Sequence, residues 1–173
     1  MANNYLQFSE VIKDLTEPEE TWLKEQLQET DNATADDEDD EDSTSGSQSY
    51  AFLRDKPEYD AADCDSLGFD YDFHDDDDMV NWGHHLWVYA EEGGMPDNVV
   101  WLVQKFLKQF RPNQCWWLTY ATTCSKPRVG EFGGGGIFVT ADEIKYQDAY
   151  DFVEQERAAF KAKNPVSQTE EHP

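Results

Sequence analysis

The chain has 173 residues, 38 acids against 13 lysines and arginines, and a formal net charge of −25. A small soluble domain ordinarily carries a charge of magnitude about 2–8. A surface this negative repels nucleic acid and anionic membranes and attracts cations and basic protein surfaces, which argues against direct nucleic-acid or membrane binding. The charge is also segregated: residues 1–82 hold 26 acids and 4 bases, a net of −22, whereas residues 83–173 hold 12 acids and 9 bases, a net of −3.

In chain order, a short helical piece is expected around residues 6–14, followed by a helix in LTEPEETWLKEQL (15–27). There Thr16 and Glu19 make a capping box, Pro18 sits in the tolerated first turn, and the acids at the start suit the positive end of the helix dipole. Residues 30–49, TDNATADDEDDEDSTSGSQS, carry eight acids and no base, the composition of a disordered linker. Three parts follow: a helical segment (1–29), the acidic linker (30–49) and an α+β domain (50–173).

From residue 50 the pattern turns to strand. YAFL (50–53) reads as a short strand, 54–66 as loop, LGFDYDF (67–73) as an alternating strand, and HHLWVYA (84–90), nearly continuous in apolar residues, as a more central one. In EEGGMPDNVVWLVQKFLKQF, Val99, Leu102, Val103, Phe106 and Phe110 recur at helical spacing, with Pro96 at the start and Arg111-Pro112 at the stop. CWWLTYATT (115–123) is a strand by its aromatic and β-branched content. CSKPRVGEFGGGG (124–136) is a glycine-rich connection, IFVT (137–140) a strand, and 147–162 a helix with Phe152, Val153 and Phe160 inward. The expected fold is α+β: a largely antiparallel sheet of about four to five strands with helices packed on one face, plus an acidic disordered tract.

The densest chemistry lies in FDYDFHDDDD (69–78). Phe69, Tyr71 and Phe73 share one strand face, leaving Asp70, Asp72 and His74 on the other, with Asp75, Asp76, Asp77 and Asp78 following. An EF-hand needs glycine at the sixth loop position and glutamate at the twelfth; counted from Asp70 these are Asp75 and Asn81. Cys64, His74, His84 and His85 match no zinc spacing. Cys124 has His84 or His85 as candidate bases, with Lys126 and Arg128 to lower its pKa. The glycines of GEFGGGG lead into a strand, where a P-loop or a dinucleotide fingerprint needs a helix. Trp101 lies at helical spacing from Lys105 and Lys108 and off the apolar stripe, as a partner contact would. No cofactor or metal is expected. An odd cysteine count without CxxC, no apolar run of roughly 20 residues, and no basic-then-apolar start suit a cytoplasmic protein.

The run CSKPRVGEFGGGGIFVT, with WWLTYATT before it, is similar to a group of uncharacterised small proteins from bacteria and phages; the likeness covers roughly residues 84–140 and implies no activity. The acidic composition separately resembles phage DNA-mimic inhibitors of the anti-restriction and anti-CRISPR kind. That likeness implies a non-enzymatic inhibitor, binding the basic nucleic-acid-binding surface of a host defence or DNA-processing protein. Asp70, Asp72 and Asp75–Asp78 would form its charge row, with Glu17, Glu19, Glu20 and Glu25 contributing from the first helix. The alternatives are an interaction adaptor working through Trp101 and the glycine-rich loop, and a cysteine enzyme centred on Cys124. An exposed sheet edge leaves room for a homodimer.

Overall fold

The computed structural model describes residues 2–31, 48–53, 56, 67–75 and 82–163. Among the described residues the fold is α+β: one antiparallel sheet of six strands with three α-helices. In chain order these are β1 (Asn4–Ile12), α1 (Glu17–Leu27), β2 (Glu29–Asp31), β3 (Gln48–Tyr50), a 3-10 turn (Ala51–Leu53), β4 (Asp70–His74), β5 (His85–Ala90), α2 (Pro96–Phe110), β6 (Cys115–Cys124), β7 (Gly133–Thr140), β8 (Ile144–Asp148) and α3 (Ala149–Lys163). The six-stranded sheet runs β4-β5-β1-β6-β7-β8, and β2 and β3 form a separate two-stranded ribbon. Residues 32–47, most of the acidic tract, lie outside the described residues.

The expected helical piece at 6–14 is instead β1, a central strand. Phe8 and Ile12 are buried and pair with Ala90 and Leu86. Glu10 takes the inward position between them, where a polar residue breaks the apolar alternation that would have marked a strand. Its burial raises the carboxyl pKa above the usual value. Because β1 sits between β5 and β6, the N-terminal segment belongs to the same core as the rest.

One face of the sheet is covered. Leu86 and Val88 of β5, Leu118 of β6, and Ile137 and Val139 of β7 meet Val99, Leu102, Val103 and Phe106 of α2, with Leu23 and Leu27 of α1 completing the layer. YAFL forms no strand beyond Tyr50. Phe52 and Leu53 are adjacent yet both fully buried, which a 3-10 turn permits and an alternating strand does not. α3 also departs from expectation. None of its residues is buried, and Phe152, Val153 and Phe160 are all exposed, because α1 and α2 already occupy the apolar face of the sheet.

The tetraglycine is part of β7 rather than a connection. A Cβ on Gly135 would stand 2.8 Å from the Tyr120 hydroxyl and 2.6 Å from the Gln147 carbonyl oxygen, and Gly134 adopts φ +145°. Glycine lets the Tyr120 ring lie across β7, where its hydroxyl bonds Asp148 Oδ2 (3.3 Å).

The ladder between β1 and β6 runs from Asn4↔Cys124 to Phe8↔Tyr120 and then stops. From Ser9 onward β1 pairs with β5 alone, and from Thr119 back to Cys115 β6 pairs with β7 alone. The sheet is therefore forked.

Candidate functional site

The uncovered face of the sheet is the candidate surface, and its rings and carboxylates come together on β4 and β5. Directly opposed residues of antiparallel strands share a face. The register Asp70↔Tyr89, Asp72↔Trp87 and His74↔His85 therefore sets two carboxylates and an imidazole beside three rings. Tyr71 and Phe73 turn the other way and pack on the core, where Lys24 of α1 lies over the Phe73 ring (5.1 Å). The alternation read from the sequence is realised as a strand with aromatic anchors inside and aspartates outside.

The rings on this face touch in series. Tyr89 and Trp87 are stacked with centroids 4.1 Å apart and planes 24° from parallel. Trp87 meets His74 at 6.2 Å, His74 stacks on His85 at 5.3 Å, and His85 meets Trp82 edge-on at 5.4 Å. The Trp87 indole donates to Ser9 Oγ (2.9 Å) and the Tyr89 hydroxyl to Asp72 Oδ2 (3.2 Å), so both stacked rings are held at their polar tips. Desolvation, reinforced by the hydrogen bond to Asp72, raises the Tyr89 pKa above its usual value. Asp70, Asp72 and Asp75 are exposed, and Asp75 lies 3.0 Å from the His84 imidazole. Asp76, Asp77 and Asp78 lie outside the described residues.

The helix acids fall into different places. α1 packs on the covered face, so its carboxylates and those of β4 lie on opposite sides of the sheet. Glu17 and Glu25 are exposed, and Glu20 pairs with Lys24 (2.6 Å). Glu19 belongs to no exposed charge row. It is 6% exposed and receives bonds from Arg111 Nε (2.6 Å) and Nη2 (2.9 Å) and from the Thr16 amide (2.8 Å). The Arg111 bond dominates in lowering its pKa to about 2. Arg111 also donates to the carbonyls of Lys13 (3.0 Å) and Asp14 (2.8 Å), which ties the end of α2 to the junction of β1 and α1.

Trp101 is not an exposed contact either. Its indole donates to the Phe52 carbonyl (2.9 Å), and Lys108 approaches its ring at 6.0 Å, so it fastens the 3-10 turn to α2. Cys124 is buried and pairs with Asn4 at one end of β1, while Leu86, beside His85, pairs with Ile12 at the other. Eight residues of strand, roughly 27 Å, keep that thiol from the histidines. Cys64 lies outside the described residues, and among the described residues no three His, Cys, Asp or Glu side chains converge as metal ligands. None of the described helices is long and apolar enough to cross a membrane.

The site's rings, Trp87 and Tyr89, escaped the sequence reading because HHLWVYA looks continuously apolar. The signal was the shared parity of His85, Trp87 and Tyr89, which a register against Asp70 and Asp72 would have exposed. Comparison with protein families, with curated proteins and with solved structures found no match.

Proposed function

We propose that the protein is a non-enzymatic acidic decoy that occupies the basic, nucleic-acid-binding surface of another protein. The observation that carries this reading is the pairing of stacked rings with flanking carboxylates on the β4–β5 face. Nucleic acid offers a partner two things, stacked planar rings and a regular row of negative charge. Asp70 and Asp72 are two residues apart on one strand face, roughly 6.8 Å, the same order as successive phosphates along a strand. Arginine side chains, which pair with carboxylates and stack on rings, find both here. The concentration of acids before residue 83 supports the same reading, since a purely solubilising charge would be spread over the surface.

The test is a competition. Proteins captured from a lysate on the immobilised chain at low salt are challenged with duplex DNA and with a salt gradient. The reading expects a nucleic-acid-binding protein that DNA displaces and whose affinity falls steeply with salt, as release of counterions requires. Charge reversal by Asp70→Lys, Asp72→Lys and Asp75→Lys should abolish its capture. Capture that survives these three changes, or that DNA does not compete, overturns the proposal.

A further inference from the structure

The fork between β1 and β6 opens a cavity of about 720 Å³. Its floor is apolar, formed by Ile12, Val103, Phe106 and Leu107, and its mouth carries Trp87 and Trp117. Trp117 is 55% exposed. This volume lies within the usual span of ligand pockets, about 300–1,000 Å³.

The direction of the backbone groups at the fork follows from bonds elsewhere along β1. Leu6 donates its amide to the Glu92 carbonyl (2.6 Å) and accepts from the Gly94 amide (3.0 Å), so it faces the β5 side. In an antiparallel ladder alternate residues face alternate neighbours, which turns Ser9, Val11 and Lys13 toward β6. On β6 the same phase applies, fixed by the Ser125 amide donating to the Asn3 carbonyl (2.9 Å), and it turns Cys115, Trp117 and Thr119 toward β1. Backbone pairing closes neighbouring strands to about 4.7–4.9 Å; here an indole spans the gap instead. Trp116 Nε1 donates to the Val11 carbonyl (2.9 Å), and Arg111 Nη1 caps the Lys13 carbonyl. Side chains of the protein thus blunt the β1 edge, while Cys115–Thr119 of β6, paired with β7 on its other side, meets no strand on the side that faces β1.

We propose that this fork is a strand-docking site, taking an extended peptide segment of a partner protein with apolar residues at every second position and basic residues between them. The segment pairs through its backbone with Cys115–Thr119 and displaces the Trp116 indole from the Val11 carbonyl. Residues that exchange hydrogen bonds with Cys115, Trp117 and Thr119 share their outward face, so their side chains point out of the fork, and the intervening ones drop onto the apolar floor. Charge sets the outward positions as basic. The outward rim carries Asp14 and Asp75, the latter beside His84 (3.0 Å), and of its two cations Arg111 is already paired with Glu19 while Lys13 lies over the Trp82 ring (4.9 Å). The fork borders the decoy face and shares Trp87 and Asp75 with it, but it binds through β6 and by backbone pairing, and the inference does not rest on the decoy reading.

The test uses the full chain, labelled with 15N, and an acetylated, amidated Lys-Val-Lys-Val-Lys-Val-Lys peptide in 0.3 M salt. Binding should quench or shift tryptophan emission saturably and move the amide resonances of Cys115, Trp117 and Thr119. N-methylation of the lysines at peptide positions 3 and 5 removes the donors that face β6 and should weaken binding at least tenfold. N-methylation of the valines should change it less than threefold. Trp117→Ala should weaken the parent peptide, whereas Asp70→Lys with Asp72→Lys should leave the pattern of shifted β6 amides in place. Equal losses from the two methylated peptides, shifts confined to Asp70–Asp75, or no saturable binding would each overturn the proposal. So would self-association of the chain through Cys115–Thr119 in the absence of peptide, which would make the occupant a second copy.

Discussion

Glu19 offers the sharpest energetic test of the fold. Its carboxyl pKa falls from 4.5 to about 2 on folding, and at 1.36 kcal/mol per pH unit of difference the ionised form contributes about 3 kcal/mol. A depressed carboxylate supplies this stability above its unfolded value and loses it as pH falls through its folded value. The contribution should therefore be complete near pH 6, mostly lost by pH 2 and gone below it. Glu19→Gln keeps a capping side chain at the third helix position but removes the charge that Arg111 grips. Urea denaturation of both proteins between pH 2 and pH 7 isolates the term, because the remaining carboxylates cancel in the difference. The wild type should be more stable by about 2–3 kcal/mol at pH 7, with the gap closing below pH 4. Arg111→Met should cost more, about 3–5 kcal/mol, since it leaves Glu19 buried and uncompensated. A gap between wild type and Glu19→Gln that stays constant with pH would refute the ionic account and leave Glu19 as a cap alone.

Two further outcomes are expected of the fold. Gly135→Ala drives a methyl group against the Tyr120 hydroxyl and the Gln147 carbonyl and should cost about 1–3 kcal/mol in the same denaturation assay. Gly136→Ala, whose Cβ meets nothing nearer than 3.9 Å, should be neutral or slightly stabilising; equal effects at the two positions would sink the packing argument. For α3, hydrogen exchange should find amides released orders of magnitude faster than those of α2, because a 15-residue helix with no buried side chain is marginal in water. Matching protection in the two helices would show that α3 is held by more than its own backbone.

Where the chain announces its structure, it does so through strong local signals. The Thr16–Glu19 box, the apolar stripe from Val99 to Phe110 and the alternation of β4 each rest on neighbours a few residues apart, and all three are present. The departures are long-range. β1 is a strand because β5 and β6 flank it, although Glu10 spoils its pattern. The glycines of β7 have poor strand propensity, and one of them, Gly135, admits a ring from β6. β8 is a short edge strand whose alternation is only Ile144 and Tyr146 among polar residues, and its last two residues fall in the stretch 147–162 expected to be helix. The site divides in the same way. Which face Asp70 and Asp72 occupy follows from parity alone, whereas the burial of Glu19 depends on Arg111, 92 residues away. The fork is a property of three strands together and has no local signature.

The central place of β1 also constrains how the protein is made. During synthesis this strand emerges before either of its neighbours, and the Asn3–Ser125 contact that closes its far side spans 122 residues. Both neighbours of β1 arrive late, and closing loops of such length is the slow part of folding a sheet. An apolar strand waiting unpaired is an invitation to associate with other chains. Between β1 and β5 lie most of the chain's carboxylates, and charge of one sign in the chain beside an unpaired strand works against such association.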